Sequence, residues 1–172
     1  MNKAHFILVS LLFIIMFIFA FSCKKSENVD EQWYLSGADS LIIVNEIILL
    51  TDNWAKSNSN MNTNEATQFW DSSPQMIFIE NAEKFANRDS VYSVLKSWFI
   101  PTLESFDVKW NHRDILPLSK NTAHFFGNFS FHAKYNSGEI LNGNSFFTGL
   151  LLKKNNKWKM YRGHESYKML NE

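Results

Sequence analysis

Cysteine is almost missing from this chain: Cys23 is the only thiol in 172 residues, so no intrachain disulfide can form. Glycine and proline are sparse, at 6 and 3 residues, which excludes long disordered or collagen-like tracts. Charge of one sign is lacking too. Lys plus Arg and Asp plus Glu both number 17, so no long-range field draws a polyanion, and nucleic acid is not an expected partner. The sequence shows no Gly-rich phosphate loop, no GxSxG elbow, no paired His or Cys spacing of a zinc site and no internal repeat, and neither cofactor nor metal is expected. His124 and His132 share a strand parity but stand about 27 Å apart at roughly 3.4 Å per residue. Matching the core faces of the strands puts His112 and His124 on opposite sides of the sheet.

What is abundant is apolar and aromatic. MNKAH gives way to FILVSLLFIIMFIFA and then to Phe21, Ser22 and Cys23, a positive start, an apolar stretch and a small residue at the cut, which is the layout of a secretory signal. The order Ala20-Phe21-Ser22-Cys23 resembles a bacterial lipobox, in which the cysteine becomes the acylated first residue. Two other readings stay open, an uncleaved anchor and an ordinary signal peptide. The apolar run from Phe6 to Ser22 is short of the roughly 20 residues an anchor needs, and Lys24 and Lys25 lie on the wrong side for one. The expectation is a signal peptide over 1–22, a polar tether over 23–32 (KKSENVDEQ follows the cysteine) and a domain over 33–172. Lys24 directly after the cysteine resembles the sorting pattern for the outer membrane of a Gram-negative cell envelope, so the expected partner is a membrane, reached through lipid on Cys23.

In the domain, Leu41, Val44, Ile48 and Ala55 have helical spacing, although LIIVNEIILL is rich in β-branched residues and a strand is not excluded. A helix from Trp33 to about Lys56, capped by Asp30 or Ser36, is the favoured reading, with a loop over 57–62. A short helix from Thr63 leads to Phe69 and Trp70, and MIFIEN is a strand closed by Asn81. Val91, Val94, Leu95, Trp98, Phe99 and Thr102 make an amphipathic helix behind Asp89 as N-cap, weakened near its end by Pro101. After Ser105 the period becomes two. Phe106, Val108 and Trp110 form one face of a strand; Ala123, Phe125, Gly127, Phe129 and Phe131 form the face of the next; turns at Ser137-Gly138 and KKNNK lead to strands 140–153 and 157–168. Helices followed by antiparallel strands predict an α+β fold. Matching core faces sets Trp110 opposite Gly127 and Phe129 opposite Phe146, with the glycine making room for the indole.

Phe-x-x-Arg-Asp-Ser-Val at 85–91, the aromatic helix after it, Ala-x-Phe-x-Gly at 123–127 and WKMYRGHES at 158–166 resemble the SnoaL-like branch of the nuclear transport factor 2-like superfamily. The resemblance covers nearly everything after residue 35. It implies a cone-shaped fold in which a strongly bent antiparallel sheet closes on helices around a pocket, often with dimerisation through the sheet. Members include ketosteroid isomerase-like and polyketide cyclase enzymes as well as binding domains without chemistry.

By the period of two, Trp158, Met160, Arg162, His164 and Ser166 share a face. If that face looks inward, Arg162 and His164 are polar groups in an aromatic cavity with Trp110, Phe129, Phe146, Thr148 and Met160 around them, suited to a small hydrophobic ligand. His164 could equally be a satisfied core histidine. For isomerase chemistry the candidate acid–base groups are His164 and Asp114, the latter on the parity of Trp110 and His112. Binding of a ligand or partner chain is the favoured function, with an isomerase, cyclase or hydratase as the alternative.

Overall fold

A computed structural model describes residues 35–170; the leader, Cys23, Asp30 and the 23–32 tether lie outside the described residues. Helix α1 spans Gly37–Ser59. Ser36 is its cap, the Oγ accepting from Asp39 N at 3.0 Å, with Asp39 in the first turn and Lys56 in the last to suit the helix dipole. Its buried stripe is Ile43, Ile47, Thr51, Ala55 and Asn58, so Leu41, expected in the core, is exposed. The helix also outruns its expected end. Ser57 and Asn58, expected in a loop, stay buried in it because their side chains donate to the carbonyls of Asn53 and Trp54 at 2.7 and 2.8 Å.

A short helix α2 (Thr63–Ala66) and a 3-10 turn (Thr67–Phe69) deliver Trp70, whose backbone bridges to Met160. Strand β1 (Ile77–Glu80) ends at Asn81, as expected, but Asn81 and Ala82, at φ 43 and 73, turn the chain into an unforeseen partner strand, β2 (Glu83–Phe85). Helix α3 (Arg88–Thr102) is capped by Asn87 rather than Asp89: Asn87 Oδ1 accepts from Ser90 N at 2.9 Å and the Ser90 hydroxyl returns toward the Asn87 N–H. Pro101 falls in its last turn.

The rest is sheet: β3 (Leu103–Ser119), β4 (Thr122–Tyr135), β5 (Ile140–Lys154) and β6 (Lys157–Met169). The order is β2-β1-β6-β5-β4-β3 in one curved six-stranded sheet. All pairs are antiparallel except β1 with β6, which run parallel, a correction to the all-antiparallel expectation. The inner face presents Phe125, Phe129, Phe147, Leu151, Trp158 and Met160 to α1, whose Trp54 ring lies within 5.5 Å of the rings of Phe69, Trp110 and Phe129. Each buried large apolar side chain contributes about 1.5–3 kcal/mol, and these rings are the bulk of the core. Polar ties fix α1 on the sheet: Trp110 Nε1 donates to Thr51 O at 3.0 Å, Arg113 to Thr51 Oγ1 and Asp52 at 2.9 and 2.5 Å, and Lys153 and Trp158 to Glu46 at 2.7 Å each.

Two one-residue irregularities decide which side chains look inward. In β3, Trp110 pairs with Phe129 and His112 with Asn128, leaving Asn111 unpaired. In β6, Met160 pairs with Leu151 and Arg162 with Leu150, leaving Tyr161 unpaired. An extra residue reverses the alternation beyond it. The expected registers are also corrected: Gly127 pairs with Arg113, and Phe129 with Ser145, the latter set by the second hairpin in an unbroken β4–β5 ladder. The expected role of Gly127 survives the shift, since a Cβ there would stand 2.5 Å from Trp110 Cζ3.

Candidate ligand cavity

Between α3 and the far ends of β4, β5 and β6 the core does not close, and a cavity of about 250 Å³ remains. Helix α3 supplies Val91, Leu95 and Trp98; the sheet supplies Phe106, Phe129 and Phe131; Trp54 and Trp70 form the inner end. Phe131 reaches in because Gly143, opposite it on β5, has no side chain to displace its ring. The polar groups in this wall are few: Asn58, Tyr135, Tyr167 and two carboxylic acids, Glu80 and Glu165.

The acids come from adjacent strands. The parallel register sets Glu80 of β1 opposite Glu165 of β6. Glu165 is only 8% exposed. Burial first, and then the neighbouring Glu80, pushes its carboxyl up to about 8, against a smaller opposing effect of the Ser145 hydroxyl. Glu80 is raised as well, by burial and then by Glu83. Ser145 Oγ lies 2.7 Å from Glu165 Oε1 and 3.3 Å from the Ser166 carbonyl oxygen. One hydroxyl proton cannot serve both acceptors. A protonated Glu165 resolves this by donating to Ser145 Oγ, which then donates to Ser166 O. The arrangement stores one proton beside an apolar space, the condition under which a carboxylic acid acts as a hydrogen-bond donor or general acid near neutral pH.

The sequence-derived candidates fall elsewhere, with one exception. Phe129 lines the cavity. Trp110 is in the aromatic core beside it, tied by its indole N–H to Thr51, and Met160 is fully buried beneath Gly149. The remaining five are on the opposite face. Arg162 and His164 are exposed because the extra Tyr161 turns them outward, and Asp114 is exposed because the extra Asn111 does the same in β3. Phe146 is 54% exposed and Thr148 bonds His124 Nε2 at 3.3 Å on the outer face, since the second hairpin sets Ser145 and Phe147 inward instead. His112 and His124 also share that outer face rather than opposing one another. No group of three or more His, Cys, Asp or Glu among the described residues is placed to hold a metal ion.

Glu165 was missed, yet a signal for it exists. Beyond Tyr161 the series Arg162, His164, Ser166, Lys168 is wholly polar, whereas Gly163, Tyr167 and Met169 on the other parity are not. That change marks where the inward set switches, and Glu165 then stands out as the one charge on the inner parity.

Residues 47–170 match the family described as SnoaL-like domain. No curated protein matches the chain. Among solved structures, a nuclear transport factor 2-like superfamily protein from Salmonella enterica is similar, at 15% identity and TM-score 0.67 over 77% of this chain and 94% of that one. Hexachlorocyclohexane dehydrochlorinase LinA-type3 from Novosphingobium barchaimii is similar at 10% identity and TM-score 0.65, over 79% and 92%. A nuclear transport factor 2-like protein from Shewanella oneidensis is similar at 18% identity and TM-score 0.58, over 72% and 98%. At these identities the likeness is one of fold.

Proposed function

The chain belongs to the SnoaL-like domain family, and on that premise we propose that its cavity binds a small, largely apolar molecule whose one polar group is held at Glu165. The observation that carries this reading is an aromatic cavity of about 250 Å³ with a buried carboxylic acid in its wall, a volume and composition suited to a small ligand. Lipid on Cys23 holds the domain in the cell envelope at a membrane, where apolar small molecules concentrate. The lining indoles of Trp54 and Trp98 provide the test: a small aryl alcohol should change their fluorescence saturably. Leu95→Phe, which fills the cavity from α3, should abolish the change while the protein still melts cooperatively; an undiminished response would place the ligand elsewhere.

A second reading has its own support. Two neighbouring carboxyls in one apolar space, both raised, can share one proton, so that one acts as acid and the other as base, and acid–base elimination or isomerisation on the bound molecule needs such a pair. The dehydrochlorinase of similar fold makes elimination the first reaction class to assay. Under this reading Glu80→Gln and Glu165→Gln each abolish turnover and leave substrate binding largely intact.

A further inference from the structure

The two carboxyls share a feature that narrows the ligand. Among the described residues the cavity wall contains no Lys, Arg or His, and no salt bridge reaches either acid. Glu165 uses one oxygen on Ser145; its Oε2 and both oxygens of Glu80 have no hydrogen-bond partner among the described residues. A carboxyl that is buried, as Glu165 is, or half-buried, as Glu80 is, is costly as an anion without a cation, and the pair meets that cost by holding a proton. A ligand that brings a positive charge meets it better, by replacing the proton.

The surroundings select for the same sign. Phe78 precedes Glu80 by two residues and Tyr167 follows Glu165 by two, so both rings flank the acid pair on the inner face. The Trp54, Trp70 and Trp98 indoles complete the wall, and aromatic faces attract cations. An anionic ligand would meet the two acids and the ring faces with repulsion. A neutral acceptor could use the single stored proton but would leave the second carboxyl unmatched.

We propose that the polar group of the ligand is an organic ammonium, carried on a small apolar body and seated between Glu80 and Glu165 within the aromatic wall. This rests on the cavity being a ligand site at all. Other ionisable groups facing the pair are Glu83, beside Glu80 on β2, and the phenols of Tyr135 and Tyr167; none supplies positive charge.

The test uses three probes that share one aryl-ethyl body and differ in charge: phenethylamine, 2-phenylethanol and 3-phenylpropionate. They are titrated calorimetrically at pH 7.5 into the full chain in lipid nanodiscs, with empty nanodiscs as the blank. The amine should bind about tenfold or more tighter than the alcohol, and the carboxylate should not bind. Glu165→Gln and the less buried Glu80→Gln should each bring the amine-to-alcohol ratio toward one while alcohol binding persists. If the alcohol or the carboxylate binds as well as the amine, or if both variants keep the amine preference, the ammonium assignment is wrong and the cavity remains a ligand site. Failure of all three probes to bind a cooperatively melting protein overturns both.

Discussion

Glu80 faces Glu165 across the only parallel pairing of the described sheet, and both acids line the same aromatic cavity. Few placements set the pH response of a small domain so directly, because a proton held there in the folded state is released on unfolding.

The sign follows from the raised values. Glu165 is held at about 8 in the fold, well above the roughly 4.3 of an unfolded glutamate. Between those values the folded chain binds the extra proton, so stability falls as pH rises through that window and levels off above it. Glu46 and Asp71 act oppositely: their carboxyls are lowered, and what they contribute is lost on acidification below the unfolded range. Urea unfolding at pH 5, 7 and 9 should show wild type losing stability toward alkaline pH. Glu165→Gln should be the more stable protein at pH 9, by on the order of a few kcal/mol. A variant that is less stable at pH 9 would mean that the fold stabilises the Glu165 carboxylate instead of penalising it, so that its carboxyl is not raised.

His164→Ala and Asp114→Asn should change stability by no more than about 0.5 kcal/mol, as exposed substitutions do, and should leave probe binding as in wild type. Both residues are on the outer face. A loss of binding in either variant, read in the same calorimetric titration, would show that the outer face takes part in the site.

Most of the fold was legible in the sequence, and the reason the site was not is local. The period of 3.6 in Val91, Leu95 and Phe99 and the period of two in Ala123 through Phe131 survive in α3 and β4 because each pattern runs unbroken through its element. The strand-or-helix ambiguity of LIIVNEIILL is resolved by the Ser36 cap and by burial against the sheet, both tertiary or boundary effects. The site depends instead on parity, and parity is a cumulative count. One unpaired residue at Asn111 and one at Tyr161 were enough to put Asp114, Arg162 and His164 outside and Glu165 inside. β2 escaped notice because three residues carry no periodicity.

The outer face carries its own expectation. Phe126 and Phe146 stack there with ring centroids 6.1 Å apart, and Phe146 and Leu116 are each more than half exposed. We expect this face to pair with a second copy of the chain. Light scattering of the detergent-solubilised protein should give a dimer mass for wild type and a monomer mass for Phe146→Glu; a monomeric wild type would remove the sheet as an interface.

Lipid on Cys23 is tested by growth with labelled palmitate. Wild type should incorporate label and Cys23→Ser should not, with the variant recovered in the soluble fraction. Label retained on the variant would show that lipid is attached at a residue other than Cys23.

Tyr161 gives β6 a property that an uninterrupted strand lacks. The strand encodes two surfaces of opposite electrical character: an acid among glycine, tyrosine and methionine on one side, and Arg162, His164 and Lys168 on the other. Which surface meets the cavity is set by one residue of chain length rather than by the identity of any side chain. Deleting Tyr161 would exchange the two, taking Glu165 out of the chamber and setting His164 and Lys168 on the face that carries Glu80, so a loss or gain of one residue here is a route by which this fold could change the charge of the molecule it accepts.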